Sequence, residues 1–313
     1  IYKVNKFIVA LSGGADSLAL SYLAKCYCIL SSSKVVFIHV DHRLRGSSTK
    51  EAKELQRQLK NFDIKPKILP WKGKKPKSNI QSISRKNRYN LIKKYAERNS
   101  FKNILIAHHL DDLYENFFIR LTRGSGLKGL VSFNKKIINY NNKILIMRPL
   151  IEQKKNDLIF LSKKVFKKFF KDPSNKNTTF TRVRVRNLLR GLKKEGFDEK
   201  KLNQTIKNLS DADSSFNYYE NQNIKLNSNY LKNKSAYILS GNFFKQPHEI
   251  VFRSFASLLK KIGGKYYASR GKSINQILSQ IDSKKFKKVT LSGCIIEKIN
   301  NSVFIYKENL GKK

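Results

Sequence analysis

Between Lys6 and Thr122 the chain alternates short β-branched runs with longer stretches of helical period, and this alternation limits its fold more than any other feature. Lys6–Leu11 reads as a buried strand, and Ala15–Leu30 as a helix with Leu18, Tyr22 and Leu23 on one face. Lys34–Val40 and Ser48–Asn61 repeat the pair. Strand Ile64–Leu69, stopped by Pro70, precedes helix Asn79–Arg98, and strand Lys102–Ala107 precedes helix Asp111–Thr122. Strands separated by helices of this length form βαβ units on a parallel sheet, so the expected class is α/β. Ligands of such sheets collect outside the C-terminal ends of the strands.

A chain of 313 residues exceeds what one core usually carries, which favours two domains. Past Asp172 the pattern changes. Arg182–Leu192 and Leu202–Tyr219 read as helices, and Asn- and Lys-rich Glu220–Lys234 as a linker or exposed loop. Then come an amphipathic helix at His248–Lys261, ended by Gly263 and Gly264, a shorter helix at Ser273–Ile281, and strands at Lys288–Leu291, Ile295–Ile299 and Val303–Tyr306. The expected organisation is a first domain over 1–190 and, over 191–313, a helical linker with a smaller α+β module.

The charge points to a partner. Sixty-five Lys and Arg stand against 22 Asp and Glu, a net charge of +43 that attracts polyanions, nucleic acid first. Fifty of the 65 are Lys, amid heavy use of Asn and Ile, so part of the excess is compositional. Of the 15 Arg, 13 precede Gly191, which gathers the informative charge in the first domain. Cys26, Cys28 and Cys294 make neither a disulfide framework nor a Cys-x-x-Cys pair, as expected in a reducing compartment. No apolar run has the length of a membrane span, so a cytoplasmic protein without membrane contact is expected.

Ser12-Gly13-Gly14-Ala15-Asp16-Ser17 ends the first strand. Two glycines allow a tight turn that presents N–H groups, and the following helix adds its positive end, which suits a phosphate. Ser12 and Ser17 can add hydroxyl donors. Asp16 would repel phosphate unless Mg²⁺ lay between them. The loop lacks the Gly-Lys-Ser/Thr ending of a Walker motif. Gly124 to Gly129 matches G-x-G-x-x-G but follows a helix rather than a strand, so it is expected to be a tight loop that brings Arg120 and Arg123 towards nucleotide or RNA. Asp111 and Glu115 share a helix face as ligands would, yet acids at a helix N-terminus are favoured by its dipole without any metal. His39 reads either as a buried strand residue or as a nucleotide neighbour. Arg182, Arg184 and Arg186 read either as a solvated basic face or as a phosphate or tRNA contact.

The Ser-Gly-Gly-x-Asp-Ser loop resembles that of the ATP-pyrophosphatases, the PP-loop superfamily. The later segments narrow the resemblance. They are His39 to Arg45, then Gln81, Arg85, Arg88 and Tyr89, and His108-His109-Leu110-Asp111-Asp112 with Glu115. Arg120 to Leu130, Arg148-Pro149-Leu150 and Asp172-Pro173-Ser174-Asn175 follow, ahead of Arg182, Arg184 and Arg186. Together they look like the tRNA(Ile)-lysidine synthase family over about residues 6–190, in its short form, with a looser likeness beyond. Leu113 and Asn116 stand where that family usually has Gln and Thr, and Val183 where it has Asn.

The resemblance implies an adenine-nucleotide α-hydrolase-like domain. It also implies an ATP-dependent ligase that adenylates C2 of the wobble cytidine of a tRNA(Ile) with a CAU anticodon and joins free L-lysine to it. Catalytic roles then fall to Asp16, Asp41, Asp111, Asp112 and Arg186. ATP is expected at Ser12, Gly13, Gly14, Ala15, Asp16, Ser17, His42, Arg88 and His108, with Mg²⁺ on Asp16. Substrate contacts fall to Arg120, Arg123, Asp172, Asn175, Arg182 and Arg184. Asp41, Asp111 or Asp112 would hold the lysine ammonium, and a homodimer is left open. A tRNA thiolase of the same superfamily and a non-catalytic RNA-binding relative are the competing readings. The absence of a usable Cys pair counts against the first, and intact Ser12, Asp16 and Ser17 against the second.

Overall fold

The computed structural model describes residues 4–44, 46–74, 76, 80–134, 137–139, 144–170, 177–264, 270–281, 283 and 286–308. The chain divides into two compact units, Ile1–Ile206 and Lys207–Lys313.

The first unit is built on a six-stranded sheet. Strands β1 (Lys6–Leu11), β2 (Lys34–Asp41), β3 (Lys67–Pro70), β4 (Asn103–Leu105), β5 (Ile137–Asn139) and β6 (Leu145–Met147) lie in the order β3-β2-β1-β4-β6-β5. All neighbours pair parallel except β5, which is antiparallel to β6. Alternate residues of β1 serve two cores, as a two-residue side-chain period requires. Phe7, Val9 and Leu11 join one with Leu18 of α1 (Ala15–Ser31), Leu55 and Leu59 of α2 (Ser48–Lys60) and Phe166 of a later helix. Ile8 joins the other with Ile38, Ile104, and Ile92 and Ala96 of α3 (Ile80–Arg98). Helices α4 (Leu110–Leu121), α5 (Leu127–Leu130), α6 (Lys155–Phe166) and α7 (Thr181–Lys194) follow.

Two expectations need correction here. β3 spans only Lys67–Pro70: Ile64 is fully buried but lies outside the sheet, and Pro66, which has no N–H, precedes the ladder. The region between Gly129 and Asp172 also holds β5, β6 and α6, which the pattern did not declare. The two strands are only three residues each. In α6 a core position is occupied by Ser162, whose hydroxyl donates to the Ala15 carbonyl at 2.6 Å, so the apolar period is broken.

The second unit contains most of α8 (Glu199–Asn227) and an antiparallel sheet ordered β7-β8-β11-β10-β9. Its strands are β7 (Ser228–Leu231), β8 (Ala236–Leu239), β9 (Lys288–Leu291), β10 (Cys294–Ile299) and β11 (Ser302–Lys307). Helices α9 (Gly241–Phe244), α10 (His248–Gly263) and α11 (Gly271–Gln280) complete it, and Phe243, Phe255, Leu259, Ile274, Ile296 and Ile305 form its core. The expected linker at Glu220–Lys234 is instead the last turns of α8, then β7 and a short 3-10 turn. The helix continues because its inward positions there are polar and satisfied. Asn223, 3% exposed, donates to the Phe243 carbonyl at 3.3 Å and to Ser254 Oγ at 3.2 Å. Leu202 and Ile206, beyond the expected boundary at 190, are buried residues of the first unit.

Candidate active site

The chain leaves β1 for β2 and β3 on one side of the sheet and returns to β4 on the other. The crevice between the C-terminal ends of β1 and β4 is therefore the switch point where open α/β sheets hold ligands. The Ser12–Ser17 loop fills one side of it. Gly13 has φ +84°, a conformation L side chains rarely adopt, and the Gly13 carbonyl accepts from the Phe170 N–H at 3.0 Å. Gly14 is the N-cap of α1 and supplies no side-chain cap. Among the described residues no side chain caps the first-turn N–H groups of this 17-residue helix, an arrangement that suits an anion. The serines behave differently from expectation. Ser17 Oγ accepts from the Ser12 N–H at 3.1 Å and donates to the Gly14 carbonyl at 2.9 Å, while Ser12 Oγ donates to Ser17 Oγ at 3.0 Å. Ser17 is the internal tie of the loop.

Across the crevice, α4 begins at the end of β4. His109 is its N-cap: Nδ1 accepts from the Asp112 N–H at 3.4 Å, and the His109 N–H donates to Asp112 Oδ2 at 3.3 Å. His109 Nε2 lies 3.6 Å from Asp16 Oδ2. Burial alone would lower the His109 pKa, but the bond to Asp16 and the nearby Asp112 and Asp111 raise it above its ordinary value. His109, which the sequence pattern left without a role, thus joins the two loops. Its sequence signal is a capping residue with an acid three positions on. Asp16 Oδ1 is buried and has no hydrogen-bond partner among the described residues.

A cavity of about 200 Å³ opens beside the loop. Ala10, Leu11, Ile38, Val40, Ile104 and Ile106 give it an apolar floor, and Arg85, Arg88, Arg182, Tyr89 and His108 a polar rim. Arg85 Nη2 lies 3.4 Å from Tyr89 Oη and 3.5 Å from His108 Nε2. Arg148 is buried, donates to the Phe133 carbonyl at 2.7 Å and stacks 4.1 Å over the Phe133 ring, which lies 4.9 Å from the His108 ring. Burial, then Arg85, Arg148, Arg182 and Arg88, holds the His108 pKa far below its usual value. Burial and Arg88 bring His42 down to about 4. Among the described residues no carboxylate pairs with Arg85, Arg88, Arg148 or Arg182.

The other expected site residues are placed unevenly. Asp41 Oδ1 accepts from the Arg43 N–H at 2.9 Å and Oδ2 from Thr49 Oγ1 at 2.8 Å, so its carboxylate builds the turn after β2. Asp111 and Asp112 occupy the first turn of α4. The three arginines of α7 do not form one face. Arg182 lines the cavity, Arg184 donates to the Thr178 and Thr179 carbonyls, and Arg186 Nε bonds buried Glu115 at 2.7 Å. Arg120 and Arg123 are exposed, and Gly124, with φ +65°, follows α4 as a turn. Asp172 and Asn175 lie outside the described residues. Of the departures from the family pattern, Leu113 and Val183 are buried, and Asn116 Oδ1 is a buried acceptor without a partner among the described residues.

Residues 2–192 match the PP-loop domain family. Along its whole length the chain is 32% identical to the tRNA(Ile)-lysidine synthase of Rickettsia felis, of which it covers 71%. It belongs to the tRNA(Ile)-lysidine synthase family. The synthases of Orientia tsutsugamushi and Wolbachia pipientis wMel are 30% and 31% identical over 97% of this chain, which covers 70% and 71% of their lengths. Among solved structures, the U34-tRNA thiolase NcsA of Methanococcus maripaludis, determined with its 4Fe-4S cluster, superposes with a TM-score of 0.57. It is 21% identical over 67% of this chain and 73% of its own, a likeness of fold. In this member of the family Cys26 and Cys28 lie on α1 and Cys294 in the core of the second unit, and none lines the cavity.

Proposed function

We propose that the chain is the ATP-dependent ligase that forms lysidine. The oxygen on C2 of the wobble cytidine of tRNA(Ile) attacks the α-phosphorus of ATP and pyrophosphate leaves. The ε-amine of free lysine then attacks C2 and AMP departs. The observation that carries this reading is the pairing of a helix N-terminus that has no side-chain cap from Gly14 with a cavity lined by guanidinium groups that no carboxylate among the described residues answers. Negative charge develops on the departing pyrophosphate, and preorganised N–H groups and Arg side chains there stabilise it without reorganising. The apolar floor accepts the flat face of a base.

Asp16 fits a divalent cation, because its Oδ1 is a buried acceptor that no other described residue satisfies. Mg²⁺ bound there would neutralise charge on the pyrophosphate. His109 holds the other Asp16 oxygen in place. The lysine ammonium must give up a proton before it attacks, and the acids at the start of α4, Asp111 and Asp112, are the carboxylates assigned to bind it. Asp41 is the weaker candidate, since both its oxygens are engaged. A single-stranded anticodon base is reached without opening a duplex. The second unit, with Lys260, Lys287 and Lys288 exposed, is assigned to discrimination among tRNAs. No helix among the described residues is long and apolar enough to cross a membrane, and we place the activity in the bacterial cytoplasm. Incubation with ATP, radiolabelled lysine and tRNA(Ile) tests the reading. Label must enter RNA, and must enter tRNA(Met) far less.

A further inference from the structure

The chain that leaves α6 turns back over the phosphate loop. Lys167, the C-cap of α6, takes φ +62°. Gln58 of α2 then ties the strap down, donating from Nε2 to the carbonyls of Phe166 at 3.2 Å and Lys168 at 2.6 Å. Two residues on, the Phe170 N–H donates to the Gly13 carbonyl at 3.0 Å. The Phe170 ring packs so closely that a Cβ on Gly13 would meet its Cδ2 at 3.0 Å. Leu55, on the same helix as Gln58, closes the other side at 3.6 Å from that point. Neither Phe170 nor Gln58 lines the cavity, and no step of the lysidine chemistry uses them.

We propose that Phe170, anchored through Gln58, is a positioning residue that sets the Gly13–Gly14 peptide and so aims the N–H groups of the loop at the triphosphate. In a trans peptide the carbonyl oxygen and the following N–H point in opposite directions. Holding the Gly13 oxygen towards the strap therefore turns the Gly14 N–H away from it. Two successive glycines have the widest backbone freedom of any pair, so without an outside bond this peptide rotates readily. A misdirected N–H loses one charge-assisted bond to phosphate. The inference rests on the reading of the loop as an ATP site.

The test uses the whole chain and the variants Phe170→Ala, Phe170→Leu and Gln58→Ala. ATP binding is measured at equilibrium, KM for ATP and for lysine in the lysidine assay, and the thermal midpoint by calorimetry. Phe170→Ala and Gln58→Ala should raise both the Kd and the KM for ATP about tenfold, one charged hydrogen bond's worth, and leave KM for lysine unchanged. Both Phe170 variants keep the backbone N–H, so the difference lies in the ring contact that holds it in place: Phe170→Leu keeps most of that apolar contact and should recover most of the ATP affinity. A residue that only fills the core would lower the thermal midpoint and the active fraction without moving KM for ATP. Wild-type ATP binding with no change in either alanine variant overturns the inference alone. Failure of the wild-type chain to bind ATP overturns the reading of the loop, and the inference with it.

Discussion

The arginines at the cavity of the first unit and Arg253 of the second are used in opposite ways. In the second, Arg253 is 2% exposed and its charge is answered by two carboxylates: Nη1 meets Asp213 and Nε meets Glu249, each at 2.6 Å, the guanidinium lies 4.9 Å from the Phe216 ring centre, and only Nη2 is without a hydrogen-bond partner among the described residues. In the first, Arg85, Arg88 and Arg182 converge on one cavity with Arg148 behind His108, and among the described residues no carboxylate answers them. Burial and the neighbouring guanidinium groups even lower the Arg88 pKa. Clustered, part-buried cations without a counter-charge cost folding free energy, and a bound anion would offset that cost. A matched charge therefore reports on the fold, and an unmatched group of charges reports on a ligand.

The comparison can be broken by experiment. Arg253→Leu leaves Asp213 buried without its cation. It should destabilise the second unit by about 3–5 kcal/mol, read as a lowered unfolding transition, while ATP affinity stays the same. Asp16→Asn should do the reverse, cutting pyrophosphate release at least about a hundredfold with the unfolding transition in place. Retained pyrophosphate release would remove the cation from the Asp16 site. Arg182→Ala should weaken ATP binding about tenfold by titration, whereas Arg184→Ala, whose partners are two carbonyls and the Thr181 hydroxyl of its own segment, should leave it unchanged.

A further effect concerns acid. His42 is held from 6.5 down to about 4 in the fold, so between those values the unfolded chain binds the extra proton. The stability it contributes is complete above about pH 6.5 and is lost as pH falls towards 4. His42→Gln should flatten that part of the stability profile, measured by denaturant unfolding from pH 7 to 4.

The readable parts of the molecule were those where one local rule sufficed. β1 and the phosphate loop follow from a buried β-branched run and a glycine pair at its end, and Lys6–Leu11 is found as expected. The loop's neighbours were less legible because they come from distant segments. Nothing local distinguishes Arg182, at the cavity, from Arg186, tied to Glu115, since the choice is made by the packing of α7 against α4. Spacing alone treated the three arginines of α7 as a set. The helical end of α8 was hidden for the opposite reason: Glu220 and Asn223 are buried polar residues, and a search for apolar period passes over them.

The order of the strands has a consequence for biosynthesis. The loop at Ser12–Ser17 leaves the ribosome early, yet β4, His108 and finally Arg182 complete the walls of the cavity. At typical elongation rates on the order of ten seconds or more separate the two ends of the site. Through that interval the nascent chain displays a glycine-hinged loop whose facing wall has not yet been made. If the cavity is the nucleotide site proposed above, its walls are complete only after α7 has emerged, so binding would report on a nearly finished first unit rather than template its assembly.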